Sequence, residues 1–183
     1  LSRGLGDVYK RQEYETLARG QAPTNKKAVL KYILDDTEVT QQYVNTISIH
    51  LGMSIFSAQP RKRLEIGGGH IDDYKFPEVE AWVASFRDAE FVVTDSYHGC
   101  VFSLIFNKPF VAIGNKDRGL SRFDTLLSHF GLENRLVLES YGNIAALVDT
   151  EIDWISVNNI MAEKRNLALK YIENWSELVA ERK

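Results

Sequence analysis

Cysteine is nearly absent from this chain: among 183 residues there is one, Cys100. No intrachain disulfide can form, and nothing points to an oxidising compartment. The uninterrupted apolar runs fall far short of the ~20 residues that a membrane helix needs. No charged-then-apolar signal segment opens the chain, so a cytoplasmic protein is the expectation. Positive charge is not in excess either. The formal net charge is −3, which gives no global attraction to nucleic acid or to anionic lipid. Arg61-Lys62-Arg63 is too short and isolated to argue for nucleic acid, so any anion site must be a local patch. The four histidines and one cysteine are scattered, without metal-ligand spacing. Internal repeats and low-complexity tracts are also lacking.

What is present is ordinary for a globular protein: 44% hydrophobic and 26% charged residues. A chain of this length corresponds to about one domain of roughly 100–200 residues and buries a sizeable core without a staple. The opening LSRGLGDVYKRQ is unlike the rest of the chain in character; residues 1–12 are expected to be a non-native leader, the other reading being a natural, frayed N-terminus. Residues 13–27 form a polar lead-in, and the folded domain is expected over residues 28–183.

Residues 28–34 (AVLKYIL) read as a strand, and Asp35-Asp36-Thr37 offers capping oxygens. Val39, Tyr43, Ile47 and Leu51 then recur at helical spacing until Gly52, and residues 53–57 form a second short strand. This βαβ opening predicts a parallel sheet. Residues 59–77, with Pro60, Gly67-Gly68-Gly69 and Pro77, read as a loop or insertion. Val79, Trp82, Val83 and Phe86 mark a helix leading into the strand at Phe91. A further helix runs over 121–130, stopped by Gly131; a last strand is expected over 135–138. A long helix spans about 157–182, with Ile160, Leu167, Tyr171, Trp175 and Leu178 on a stripe that must pack on something. By periodicity, Trp82, Phe86, Phe102, Phe106, Tyr171 and Trp175 are core. The fold class is α/β: a Rossmann-like, doubly wound parallel sheet.

Chemistry is concentrated between Phe91 and Phe123. Here two successive strand-to-helix turns share the carboxyl edge of the sheet, where open α/β folds bind their ligands. The first turn, Asp95-Ser96-Tyr97-His98-Gly99, puts His98 at a helix N-terminus, with the N–H groups of Gly99, Cys100 and Val101 expected to be unpaired. Such an end binds phosphate or carboxylate, and a histidine there can move a proton near neutral pH. Gly99 permits close backbone approach, while Ser96 or Asp95 is placed to cap. The other reading of His98 is a turn histidine bonded to backbone. The turn is not a nucleophile elbow, which needs G-x-S-x-G. Cys100 reads as core. The second turn carries Lys116, Arg118 and Arg122, opposed only by Asp117. Arginine forks suit phosphate and carboxylate oxygens, although a loop of cations is also a common solvated face. The triple glycine beside His70 lacks the phosphate-loop pattern and reads as a connector; His50 and His129 read as surface or satisfied core.

TDSYHGCVFSLIFNKPF followed by GNKDRGLSRFDTLLSHFGLENRLV closely resembles the C-terminal part of the polysaccharide pyruvyl transferase family. The likeness extends upstream through VEAWVASFRDAEFVV and covers roughly residues 28–138. The resemblance implies one half of a GT-B-type enzyme, in which two Rossmann-like halves face a cleft. It implies pyruvyl transfer from phosphoenolpyruvate to sugar hydroxyls of a cell-surface polysaccharide or its precursor, giving a pyruvate ketal and phosphate. His98 would then be the catalytic acid or base, and Arg118, Lys116 and Arg122 would hold the donor's anionic groups. Ser96 and Gly99 would shape the pocket. No cofactor is implied beyond phosphoenolpyruvate as donor substrate. Residues 13–27 leave no room for an acceptor-binding half, so a C-terminal fragment separated from an N-terminal domain is expected. Two other functions fit the same residues: the nucleotide-sugar half of a GT-B glycosyltransferase, with Glu133 or Glu139 on the ribose, or an inert interaction fragment.

Overall fold

The computed structural model describes residues 11–21, 27–60, 70–114, 119–138 and 142–180, with side chains to residue 175. Five strands, β1 (Ala28–Tyr32), β2 (Ser54–Ser57), β3 (Phe91–Thr94), β4 (Phe110–Ile113) and β5 (Leu136–Val137), form one sheet in the order β2-β1-β3-β4-β5. Every pairing is parallel, with Val29 beside Phe91, Val92 beside Phe110 and Ala112 beside Leu136 in register. The helices are α1 (Arg11–Leu17), α2 (Glu38–Leu51), α3 (Val79–Asp88), α4 (Tyr97–Ile105), α5 (Ser121–Phe130), α6 (Ile144–Val148) and α7 (Trp154–Ala180). Short 3-10 turns cover Ile71–Tyr74 and Glu133–Arg135. The Rossmann-like α/β architecture expected from the sequence is the one observed.

Strand alternation divides the core in two. Leu30, Val92, Phe110 and Ala112 face one layer, with α3, α4, α5 and the start of α7 packed on it through Phe86, Phe102, Leu127 and Val157. Val29, Phe91, Val93, Val111 and Ile113 face the other layer, where α2 and α6 supply Val44, Ile47, Ile144 and Leu147. Central strands buried on both faces read as continuous apolar runs, as FVVT and FVAI do. Each fully buried Phe or Leu contributes about 2 kcal/mol of transfer free energy.

The helix boundaries follow local chemistry. Thr37 caps α2: its hydroxyl accepts from the Thr40 N–H at 3.2 Å, and the Thr40 hydroxyl accepts from the Thr37 N–H at 2.9 Å. Gly52 (φ 62°) and Gly131 (φ 66°) end α2 and α5 in the left-handed region that glycine enters without penalty. Helix α1 lies across the polar opening segment. It is anchored by Tyr14, edge-on to Phe102 at 5.1 Å, and is followed by the fully buried Ala18, whose carbonyl accepts from Arg87 Nη1 at 2.9 Å. The sequence reading did not anticipate α1 or α6, both short and with little periodicity to see.

One core assignment is overturned. Tyr171 and Trp175 are 62% and 61% exposed, and Leu167 is 60% exposed. Helix α7 touches the core through Val157, Ile160 and Met161, then runs past the domain's edge. Helical periodicity reports that a stripe exists, and nothing in it reports what the stripe meets.

Candidate functional site

The strand order reverses between β1 and β3: the chain steps from β1 to β2 on one side, then returns to place β3 on the other. Helices leave these two strands toward opposite faces, which opens a crevice beyond the strand carboxyl ends. Two described connections border it, β1–α2 and β3–α4, and the first turn of α5 approaches the second of these through Arg122. Sequence reasoning singled out the β3–α4 and β4–α5 turns and missed the β1–α2 turn.

The β3–α4 connection is held by side-chain hydrogen bonds to the end of β1 and to its own backbone. Thr94 is fully buried; its hydroxyl donates to the Tyr32 carbonyl at 2.8 Å and accepts from the Ser96 N–H at 3.0 Å. Helix α4 starts at Tyr97 with Ser96 as its N-cap, yet Ser96 makes no side-chain capping bond. The first-turn N–H groups are therefore those of Tyr97, His98 and Gly99. The Cys100 N–H bonds the Ser96 carbonyl at 3.2 Å, which corrects the expected set of Gly99, Cys100 and Val101. The difference arises because the helix begins earlier than the His-Gly pair suggested, with His98 already inside its first turn.

Asp95 does not cap α4. Its carboxylate reaches across the switch point, accepting from the Leu34 N–H at 2.6 Å and the Asp35 N–H at 2.7 Å. Because β3 lies directly beside β1, the carboxyl end of one strand reaches the amides that come after the other. Burial pushes the Asp95 carboxyl above its ordinary range, against the lowering effect of those two bonds. Burial also raises the Tyr32 hydroxyl, at the end of β1, and the Cys100 thiol, which is wholly enclosed. Cys100 is core, as read.

His98 is exposed. Its ring stands edge-on to Tyr97, with centroids 5.9 Å apart and planes at 84°. Arg122, exposed on the first turn of α5, sets its guanidinium carbon 6.0 Å from the centre of the same Tyr97 ring, a cation–π distance. Tyr97 thus links the histidine turn to the cationic turn, a role that its place in the motif did not suggest. Ser96 is 5% exposed and lies beneath the turn. Gly99 is buried, and a Cβ there would sit 2.1 Å from Thr94 Oγ1. The close approach that Gly99 permits is therefore to Thr94. Lys116 and Arg118 lie outside the described residues, as do the triple glycine, Arg61-Lys62-Arg63 and Glu139.

Further polar features lie at the opposite edge. Concavities of about 300 and 270 Å³ flank the entry to β5, lined by Asn134, Asn143, Thr150 and Asp153 among others. Buried Arg135 donates there to the carbonyls of Leu147 and Thr150, joining α6 to β5. His50, at the end of α2, pairs with Asp149 at 2.7 Å, and His129 is exposed on α5. Among the described residues, no group of three His, Cys, Asp or Glu side chains converges, and no helix is long and apolar enough to cross a membrane.

A parallel 2-1-3-4-5 sheet with an exposed histidine and an arginine over its switch point defines the class, an open doubly wound α/β domain with its crevice at the carboxyl edge. The polysaccharide pyruvyl transferase profile matches residues 18–117, more than half of the chain, and the chain belongs to that family of transferases. The match takes in Ser96, His98, Gly99 and Lys116 and ends before Arg118 and Arg122. No curated protein and no solved structure matches the chain.

Proposed function

We propose that this domain carries the donor site of a ketal-forming pyruvyl transferase, with phosphoenolpyruvate as donor and a saccharide hydroxyl pair as acceptor. The observation that carries the reading is the exposed His98 in the first turn of α4, whose N-cap Ser96 makes no side-chain capping bond, at the switch point of a chain in this family. Phosphoenolpyruvate presents a phosphate and a carboxylate. First-turn N–H groups and the helix dipole favour one of these anions. Arg122, with Lys116 and Arg118 from the same connection, supplies charge for the other and for departing phosphate. Ser96 and Gly99 support the pocket from below.

The reaction balances as two additions and one departure. A sugar hydroxyl gives up its proton and forms a C–O bond to the enol carbon as the methylene gains a proton and becomes methyl. Phosphate then leaves with the C–O electron pair, and a second hydroxyl closes the ketal while giving up its proton. His98 transfers a proton in this sequence. Enzymes that consume phosphoenolpyruvate work where it is made, which fits a cytoplasmic site. No metal or further cofactor is part of the proposal.

The test is a phosphoenolpyruvate titration read by calorimetry and phosphorus NMR, on the wild type, His98→Ala and Arg118→Ala, with UDP and CMP as competitors. The wild type should bind saturably and ignore the nucleotides. Losing a charged hydrogen bond in Arg118→Ala should weaken binding roughly 10- to 100-fold. His98→Ala should bind within a few-fold, and with an acceptor supplied should lose roughly 100- to 10,000-fold in phosphate release. Displacement by UDP, or no donor binding at millimolar concentration, would sink the reading.

A further inference from the structure

We infer that Asp95 is a positioning residue: its carboxylate clamps the β1–α2 turn to the N-terminus of α4 and thereby fixes the width of the switch-point crevice before any ligand arrives. The geometry is specific. Both carboxylate oxygens are engaged, one by each of two successive N–H groups, at 2.6 and 2.7 Å from residues about sixty positions away in sequence. Bonds this short to an ionised acceptor are the strong kind. On the α2 side the same turn is held by the Thr40 hydroxyl, which donates to the Asp35 carbonyl at 3.0 Å, and by the Lys31–Asp36 ion pair at 2.8 Å. Those contacts tie the turn to its own strand and helix; Asp95 ties it to the histidine turn. A second brace sits directly beneath, where the Thr94 hydroxyl donates to the Tyr32 carbonyl. Only Ser96 and Tyr97 separate Asp95 from His98, so movement of the β1–α2 turn is transmitted to the histidine's helix. Reacting groups held in place in advance of binding save the reorganisation that catalysis otherwise requires.

Protonation acts on the clamp directly. A neutral carboxyl carries its proton on one oxygen, and that oxygen becomes a far weaker acceptor for the backbone N–H it faces. The titratable groups facing Asp95 are Asp35 from the β1–α2 turn, Tyr32 from β1 and Cys100 from α4. Tyrosine and thiol stay neutral at acidic pH, and Asp35 adds a neighbouring carboxylate. The ligand consequence rests on the donor reading above; the clamp itself does not.

The experiment therefore has two arms. In the first, amide nuclear magnetic resonance follows Leu34 and Asp35 in the wild type as pH falls. Both amides should be protected from exchange and shifted downfield, then move together through one titration lying above the ordinary carboxylate range. This arm needs no variant, so it stands even if Asp95→Asn folds poorly. In Asp95→Asn the titration should vanish and protection at these two amides should fall, while β3 amides keep theirs. Amides that stay flat with pH in the wild type, or keep full protection in Asp95→Asn, would overturn the clamp. In the second arm, phosphoenolpyruvate affinity of Asp95→Asn should fall about tenfold, the scale of one lost charged hydrogen bond, with Asp95→Glu recovering part. Unchanged affinity in a variant whose clamp has opened would refute the positioning role. If the wild type does not bind the donor at all, the donor reading fails while the first arm still decides the clamp.

Discussion

Gly99 carries a constraint that its neighbours in the motif conceal. A side-chain carbon there would stand 2.1 Å from Thr94 Oγ1, 2.7 Å from Thr94 Cβ and 2.9 Å from Thr94 Cγ2. Thr94 cannot swing away cheaply, because it is fully buried and its hydroxyl serves both Tyr32 and Ser96. Gly99→Ala should therefore cost about 1–3 kcal/mol or more, as overpacked cores do. Thr94→Ala is costly by itself, since it strips partners from the Tyr32 carbonyl and the Ser96 N–H. In the double variant, however, the clash is gone, so urea unfolding of the four proteins should give a total below the sum of the singles by at least about 0.5 kcal/mol. Strict additivity would mean that the contact does not matter. In the sequence, Gly99 reads as a residue that permits close backbone approach at an anion site. Packing depth is not a property of a motif, and only the fold discloses that the nearest atom is Thr94.

At the scale of the element, α7 is one continuous helix with two different surroundings. Its first turns bury Val157, 1% exposed, and place Ile160 and Met161 against the core. Its later turns leave Leu167, Tyr171 and Trp175 all near 60% exposed. Truncating Val157 to Ala should cost about 2 kcal/mol through lost burial and the cavity left behind. Tyr171→Ser and Trp175→Ser should each change stability by only about 0.5 kcal/mol or less, the usual range for exposed positions. Thermal or urea denaturation of the three variants separates the cases. A cost in Tyr171→Ser comparable to that in Val157→Ala would mean that the stripe is covered within this chain. The uneven legibility of the helices has the same cause. Helix α5 is bounded as expected because Gly131 stops it and Phe123, Leu127 and Phe130 mark its buried face. The apolar face of α7 is equally plain in sequence, but periodicity is blind to where the supporting surface ends.

For the whole molecule, the parallel sheet was legible because its central strands must be apolar on both faces, and FVVT and FVAI advertise that directly. The two turns at its carboxyl edge were legible because strand-to-helix transitions on one edge are a topological consequence of parallel pairing. The third wall was not, since the contact between Asp95 and the amides of Leu34 and Asp35 depends on β3 lying beside β1 rather than beside β2. Strand order of this kind is written in no local pattern. It does imply a gradient of rigidity that can be measured. Strands β3 and β4 are buried throughout and paired on both sides, whereas β2 is an edge strand with largely exposed residues and β5 an edge strand of only two residues. Native-state hydrogen exchange should find the slowest amides in β3 and β4, opening only with global unfolding, and faster local opening in β2, β5 and the later turns of α7. His98 and Asp95 would then project from the most stable part of the molecule, which suits groups whose placement has to be held to a fraction of an ångström. Exchange in β3 as fast as in β2 would contradict this order, and with it the inference that the histidine turn is anchored by its strand.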